Sequence, residues 1–250
     1  MSHHKLEVKN LTFEYDDGFV AVNNISFLIT HGQSFGIIGA NGAGKSTLLM
    51  LLMGVLMPQS GTVVVGDTVL TKKTLPNIRQ RLGFVFQNSD DQLFMTTVFD
   101  DVAFGPRNFG LNEQEVELRV EQALEKVGIS HLKNKAPFKL SGGEKRSVAI
   151  ASVLSMQPDV LIMDEPTDGL DPKARRRVIH LLQGFAHTKI ITSHDLDLIL
   201  SVCEKTIVLK NGEIKAVGNT NDIVTNKELM DECGLEIPLS MQGCPVCVKK

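Results

Sequence analysis

The sequence predicts a mixed α/β fold: a core with an antiparallel β subdomain early in the chain and an α-helical subdomain inserted in the middle. Three observations predict it. The β-patterned runs "KLEVKNLTFEY", "VAVNNISFLI" and "QSFGIIGA" fill the first 40 residues. The glycine-rich stretch "GANGAGKST" at 39–47 stands between the last of these and an apolar helical run. Farther on, "DVLIMDE" at 159–165 is a continuous apolar run closed by acid, as a buried parallel strand reads.

Taken in order, a helix is expected from about Lys45, then a strand over "GTVVVGDTVL" and another over "LGFVFQ" at 82–87. In "NEQEVELRVEQALEKVG", Val116, Val120, Ala123, Leu124 and Val127 recur at helical spacing, and Gly128 supplies a stop. The next helix should run from Gly143 to about Gln157 and end at Pro158. A helix from Pro172, a strand over "KIITSH", a helix from Asp195 and a strand pair turning at Asn211-Gly212 complete the order. The main domain is expected over 1–225, with its helical subdomain at about 88–156 and a tail at 226–250.

With 250 residues the chain can bury a sizeable core. Lys plus Arg number 26 against 29 for Asp plus Glu, so nucleic acid is not expected as a partner on bulk charge. Apolar runs such as "LLMLLMGVLM" stop short of a membrane span, and "MSHHKLEV" lacks the apolar core of a signal peptide. These features predict a soluble, intracellular chain, in which thiols stay reduced. His3 and His4 are given no role, and the run Lys173, Arg175, Arg176 and Arg177 reads as a solvated helix face. Cys233 with the Cys-x-x-Cys pair Cys244 and Cys247 offers three thiols to a soft or borderline metal such as zinc, nickel or cobalt. That is one short of a closed zinc site, and a tail with incidental thiols is the plainer expectation.

The chemistry is carried by three stretches. "GANGAGKST" matches the phosphate-loop pattern, in which backbone N–H groups of the loop and of the helix start surround phosphate oxygens. Asn41, Gly42, Gly44 and Thr47 belong to that cradle; Lys45 reaches the β- and γ-phosphates and Ser46 holds Mg2+. "VLIMDE" places Asp164 at a strand end, suited to the metal or its water, with Glu165 beside it to polarise an attacking water. In "LSGGEKRSVAIA", Ser141 is a good N-cap before Gly142 and Gly143, giving a second helix start suited to an anion. Two such starts are either filled independently or share one nucleotide between two chains.

Together these motifs resemble the nucleotide-binding subunit of ABC transporters, over about residues 5–225. The phosphate loop, the signature "LSGGE" at 140–144, the acid strand at 160–165 and the "GLDP" loop at 169–172 stand in the family's order. The resemblance implies ATP and Mg2+ as cofactors, with Gln87 contacting metal or water, His194 sensing the γ-phosphate and Tyr15, the only tyrosine, stacking on adenine. Such stacking is worth about 1–3 kcal/mol per base. It also implies a head-to-tail dimer of two copies, in which Ser141 and Gly143 of one close over nucleotide held by the other. Two departures stand out: Glu144 where Gln is commonest, and Asp168 where a small or amide residue is usual.

The stretch "QNSDDQLFMTTVFDDVAFGP" at 87–106 mixes acids with large apolar residues. The wording of "DDQLF", "DVAFGP" and "LSGGEKR" is similar to energy-coupling-factor ATPases, above all those of cobalt and nickel importers. That resemblance implies that integral-membrane subunits dock near Asp90–Met95, with the acids meeting basic side chains of the partner, while Phe99 and Phe104 pack inside the helical subdomain. It implies an ATPase on the cytoplasmic face of the cell membrane that powers import of cobalt or nickel. The rivals are an energy-coupling ATPase of a vitamin importer and a soluble DNA-repair-type ABC ATPase; the latter's long coiled coil has no counterpart here.

Overall fold

The computed structural model describes residues 5–185 and 187–242. In chain order its elements are β1 (Leu6–Glu14), β2 (Val20–Ile29), β3 (Ser34–Ile38), α1 (Lys45–Leu52), β4 (Ser60–Val65), β5 (Thr68–Val69), α2 (Leu75–Arg81), β6 (Leu82–Val85), α3 (Val98–Asn108) and α4 (Glu113–Lys126). They continue with α5 (Gly142–Leu154), β7 (Val160–Asp164), α6 (Pro172–Gln183), β8 (Thr188–Thr192), α7 (Leu196–Val202), β9 (Lys205–Lys210), β10 (Glu213–Asn219), α8 (Thr220–Thr225) and α9 (Lys227–Glu232). The chain divides into two units, Met1–Lys72 with Thr188–Lys250, and Lys73–His187.

The first unit holds an antiparallel sheet in the order β2-β1-β4-β5 and a group of strands in the order β10-β9-β3-β8. There β3 runs parallel to both β8 and β9, and β10 returns antiparallel to β9. All five residues of β3 and all five of β8 are buried, so neither strand alternates apolar with polar residues as a half-exposed strand does. In β1, Leu6, Val8 and Leu11 turn inward and fix the register against β2. One strand was expected at 61–70, but the chain folds there as a hairpin. Gly66 takes a φ of +62°, and a two-residue turn pairs Val65 with Thr68.

The second unit pairs β6 with β7 in parallel and packs α3, α4 and α5 against one another. Its core is made by Val98 and Val102 of α3, Val116, Val120 and Leu124 of α4, and Val148 and Ile150 of α5, all at most 1% exposed. Helix α3 contains Pro106, which has no N–H for the carbonyl of Val102. The hydroxyl of Ser155, itself fully buried, donates to that carbonyl at 2.7 Å and restores the bond. Gly105 lets the helix approach Met156 closely; a Cβ there would stand 2.5 Å from its sulfur.

Helix α5 ends at Leu154 rather than near Gln157, which takes a φ of +54°. Helices α2, α3, α8 and α9 lie where the chain carries no individual helix signal: three have six or seven residues, too few to show periodicity, and α3 carries its proline. Among the described residues no helix is long and apolar enough to cross a membrane.

Candidate functional site

In the first unit β3 delivers the chain into the loop at 39–44 and α1 carries it away. Gly42 and Gly44 take φ of +78° and +100°, and a Cβ on Gly44 would run into the carbonyl of Ala21, as one on Gly39 would into that of Leu209. The loop is therefore pressed onto its own strands at points where only glycine fits. Helices α3 to α7 are capped by the side chains of Thr97, Asn112, Ser141, Asp171 and Asp195, whereas α1 begins at Gly44 without a side-chain cap. Its first N–H groups and the positive end of its dipole are offered to an anion.

Lys45 is 7% exposed, and its ammonium donates to the carbonyls of Gly39 at 2.7 Å and Ala40 at 3.2 Å. Nζ also lies 3.3 Å from Nε2 of His194, at the end of β8. Asn41 and Gly42 are exposed on the same loop, and Ser46 is exposed in the first turn of α1. The hydroxyls of Thr47 and Tyr15 stand 3.1 Å apart, and the Tyr15 ring meets Phe13 edge-on at 4.9 Å. Thus Tyr15, the loop, Lys45 and His194 come together within one unit. A cation at an uncapped helix start, with an aromatic ring nearby, suits a nucleoside triphosphate.

In the second unit the wholly buried β7 ends at Asp164, followed by Glu165, at 9% and 8% exposure. Glu165 takes a φ of +46°, a left-handed conformation that costs a non-glycine residue energy and recurs at functional sites. Ser141 and Glu144 form a reciprocal capping box: the Glu144 carboxylate accepts from the Ser141 N–H at 2.8 Å and its hydroxyl at 2.7 Å. Those hydrogen bonds hold the Glu144 carboxyl below its ordinary pKa. Gly143 packs on α6, where a Cβ would meet that of Ala174 at 2.6 Å.

Gln87 donates its amide to Asp168 at 3.0 Å. Both line a cavity of about 370 Å3 with Gly142, Lys145 and Arg146. Sequence reasoning assigned Arg146 no role, although the quoted "LSGGEKR" contains it; a basic residue on a helix gives no sign that it is buried.

Ser46, Gln87 and Asp164 supply hydroxyl, amide and carboxylate oxygens, the hard donors that Mg2+ takes, so the residues present fit that ion. Of the tail thiols, Cys244 and Cys247 lie outside the described residues. Cys233 is buried, which raises its thiol pKa and opposes the thiolate a metal needs. Among the described residues no group of three or more His, Cys, Asp or Glu stands together to hold a metal.

The stretch at 87–106 corrects one expectation and gives several of its acids partners within the chain. Phe104 is 39% exposed, not internal, and meets the 63% exposed Phe94 edge-on at 4.9 Å. Most of the acids serve the fold: Asp90 pairs with Lys145 at 2.6 Å, Asp100 with Arg107 at 3.2 Å, and buried Asp101 accepts the N–H groups of Phe94 and Met95. Asp91 stays exposed. Phe84, Phe86, Phe94, Phe104 and Met156 line an open groove of about 340 Å3 beside it.

A family model described as "ABC transporter" matches residues 22–168. A putative ABC transporter ATP-binding protein of Geobacter sulfurreducens is 61% identical over 99% of both chains. The energy-coupling factor transporter ATP-binding protein EcfA of Methanothermobacter thermautotrophicus is 44% identical over 98% of this chain and 83% of its own. The solved structure of cbiO1 from Clostridium perfringens, described as part of the ABC transporter complex cbiONQ, is similar with a TM-score of 0.81 at 39% identity, covering 91% of this chain and 93% of that one.

Proposed function

Since the chain belongs to the ABC transporter family, as one of its ATP-binding and ATP-hydrolysing subunits, we propose that it powers an importer of cobalt or nickel ions from the cytoplasmic face of the membrane. The nucleotide reading is carried by one observation: Lys45, nearly buried at an uncapped helix start, with His194 3.3 Å away. The metal-ion reading is supported by the similarity of "DDQLF" and "LSGGEKR" to cobalt and nickel importer ATPases, and by the likeness to a chain of the cbiONQ complex. The likeness to EcfA keeps a second reading, a vitamin-type importer.

ATP binds with its triphosphate on the glycine loop, where Lys45 releases the Gly39 and Ala40 carbonyls to neutralise phosphate charge. Tyr15 stacks on the base. Ser46, Asp164 and Gln87 would hold Mg2+, which when bound withdraws charge from the β- and γ-phosphates. Glu165 orients water for attack and His194 contacts the γ-phosphate. Ser141 and Gly143 of a second copy complete the site, so hydrolysis removes the group that holds the pair together. The groove around Phe94 receives an apolar segment of an integral-membrane subunit near Asp90–Met95.

The decisive variant is Glu165→Gln. It should bind ATP as the parent does, accumulate as an ATP-held dimer in sedimentation, and lose hydrolysis by about a hundredfold or more. Parental turnover would refute the role of Glu165. Metal uptake by the chain co-expressed with its membrane partners separates the two cargo readings: uptake of labelled cobalt or nickel with this chain as sole ATPase supports the first, and a need for a different ATPase supports the second.

A further inference from the structure

Arg146 lies in the second turn of α5 and is 3% exposed. One guanidinium nitrogen donates to the carbonyl of Phe86 at 2.6 Å and the other to the carbonyl of Gln87. We propose that Arg146 is a positioning residue that ties the Gln87 turn to the Ser141-capped end of α5, with Asp168 holding the glutamine side chain, so that these groups move as one body.

The turn needs such a tie. The ladder between β6 and β7 ends at Val85, so Phe86 and Gln87 run on beyond it with exposed side chains. Both main-chain groups of Phe86 are anchored to the same helix. Its carbonyl meets Arg146. Its N–H donates to Gln92 Oε1 at 3.1 Å, and the Gln92 amide donates to Ala149 O at 2.8 Å and Ser152 Oγ at 2.9 Å.

Stability alone does not account for a cation here. Burial lowers the Arg146 pKa, with the charge of Asp168 opposing that shift, and its Nε finds no partner among the described residues. An apolar side chain of the same volume would avoid this desolvation. What it could not do is grip two successive carbonyls, which a planar fork of donors does and a point-charge ammonium does not. Asp168 extends the tie, 3.0 Å from the Gln87 amide and three residues after Glu165.

The kinetic consequence rests on the proposed role of Gln87; the tie itself does not. The test is Arg146→Lys in the full chain. Hydrogen exchange of the amides at 86–92 should rise about tenfold while the rest of the unit keeps its protection. kcat should fall about tenfold with KM for ATP held within about twofold, and Gln87→Ala should cost far less in this background than in the parent. Unchanged exchange at 86–92, or an undiminished Gln87→Ala penalty, overturns the proposal. Should Arg146→Lys fail to fold, the exposed Asp168→Ala reads the same quantities, with about a threefold rise in exchange expected at 87–89 and no change overturning it. If Gln87→Ala alone leaves kcat at the parental value, the catalytic reading of Gln87 fails, and the exchange measurement still decides the tie.

Discussion

At the scale of single residues, charge placement decides the chemistry. Lys45 sits folded onto the carbonyls of Gly39 and Ala40, where phosphate oxygens can replace them. Lys45→Ala should weaken ATP binding at least about a hundredfold, measured by titration calorimetry, since a charge-assisted contact of about 1.5–3 kcal/mol is lost along with phosphate neutralisation. Glu144 works in the other direction. Its carboxylate holds the cap of α5, yet under the proposed shared site it would place a negative charge where a γ-phosphate docks. Glu144→Gln keeps an oxygen for both Ser141 donors and removes that charge; nucleotide-held dimerisation should strengthen about threefold. The sign of its pH effect follows from the lowered pKa. The stabilisation is present above the ordinary value of 4.5 and is lost as pH falls through the folded value, so acid should cost the parent more stability than the variant.

Secondary elements show what the sequence could and could not announce. The phosphate loop, β7 and α4 were legible because their signals are local: glycine spacing, an unbroken apolar run, and apolar residues three and four apart. The hairpin at Gly66 was hidden inside one β-rich run, and α3 behind Asp100, Asp101 and Pro106, whose compensations come from Ser155 and from the turn before it. The exposure of Phe104 and the burial of Arg146 depend on tertiary packing, which no spacing reports. Site residues named by motif had positions in the chain but no partners; the contacts of Gln87 with Asp168 and of Lys45 with His194 had to be seen. Asp101 is where element and function meet, because its carboxylate fixes the turn that displays Phe94 and Met95. Asp101→Ala leaves two part-buried N–H groups without that acceptor and should cost about 1 kcal/mol in urea unfolding. It should also weaken capture of the membrane partner, as Phe94→Ala does by loss of an aromatic anchor, but Phe94→Ala should leave stability within about 0.5 kcal/mol.

For the whole molecule, the question is why one chain carries two anion-ready helix starts, one at Lys45 without a side-chain cap and one at Ser141 that is capped. If each nucleotide is enclosed by the loop of one copy and the Ser141 end of another, the two functions belong to different chains at any one site. A symmetric pair then has two equivalent sites. This makes complementation possible. Lys45→Ala alone removes the loop from both sites of its dimer, and Ser141→Arg alone blocks both lids. A mixed dimer of the two variants has one site with both defects and one with neither. Mixed in equal amounts on a Glu165→Gln background, the two variants should form an ATP-held dimer that neither forms by itself, retaining about one nucleotide per dimer in a filter assay. An equal mixture that stays monomeric at concentrations where the Glu165→Gln parent is fully dimeric would show that loop and lid of a single copy act together, and the shared site would have to be abandoned.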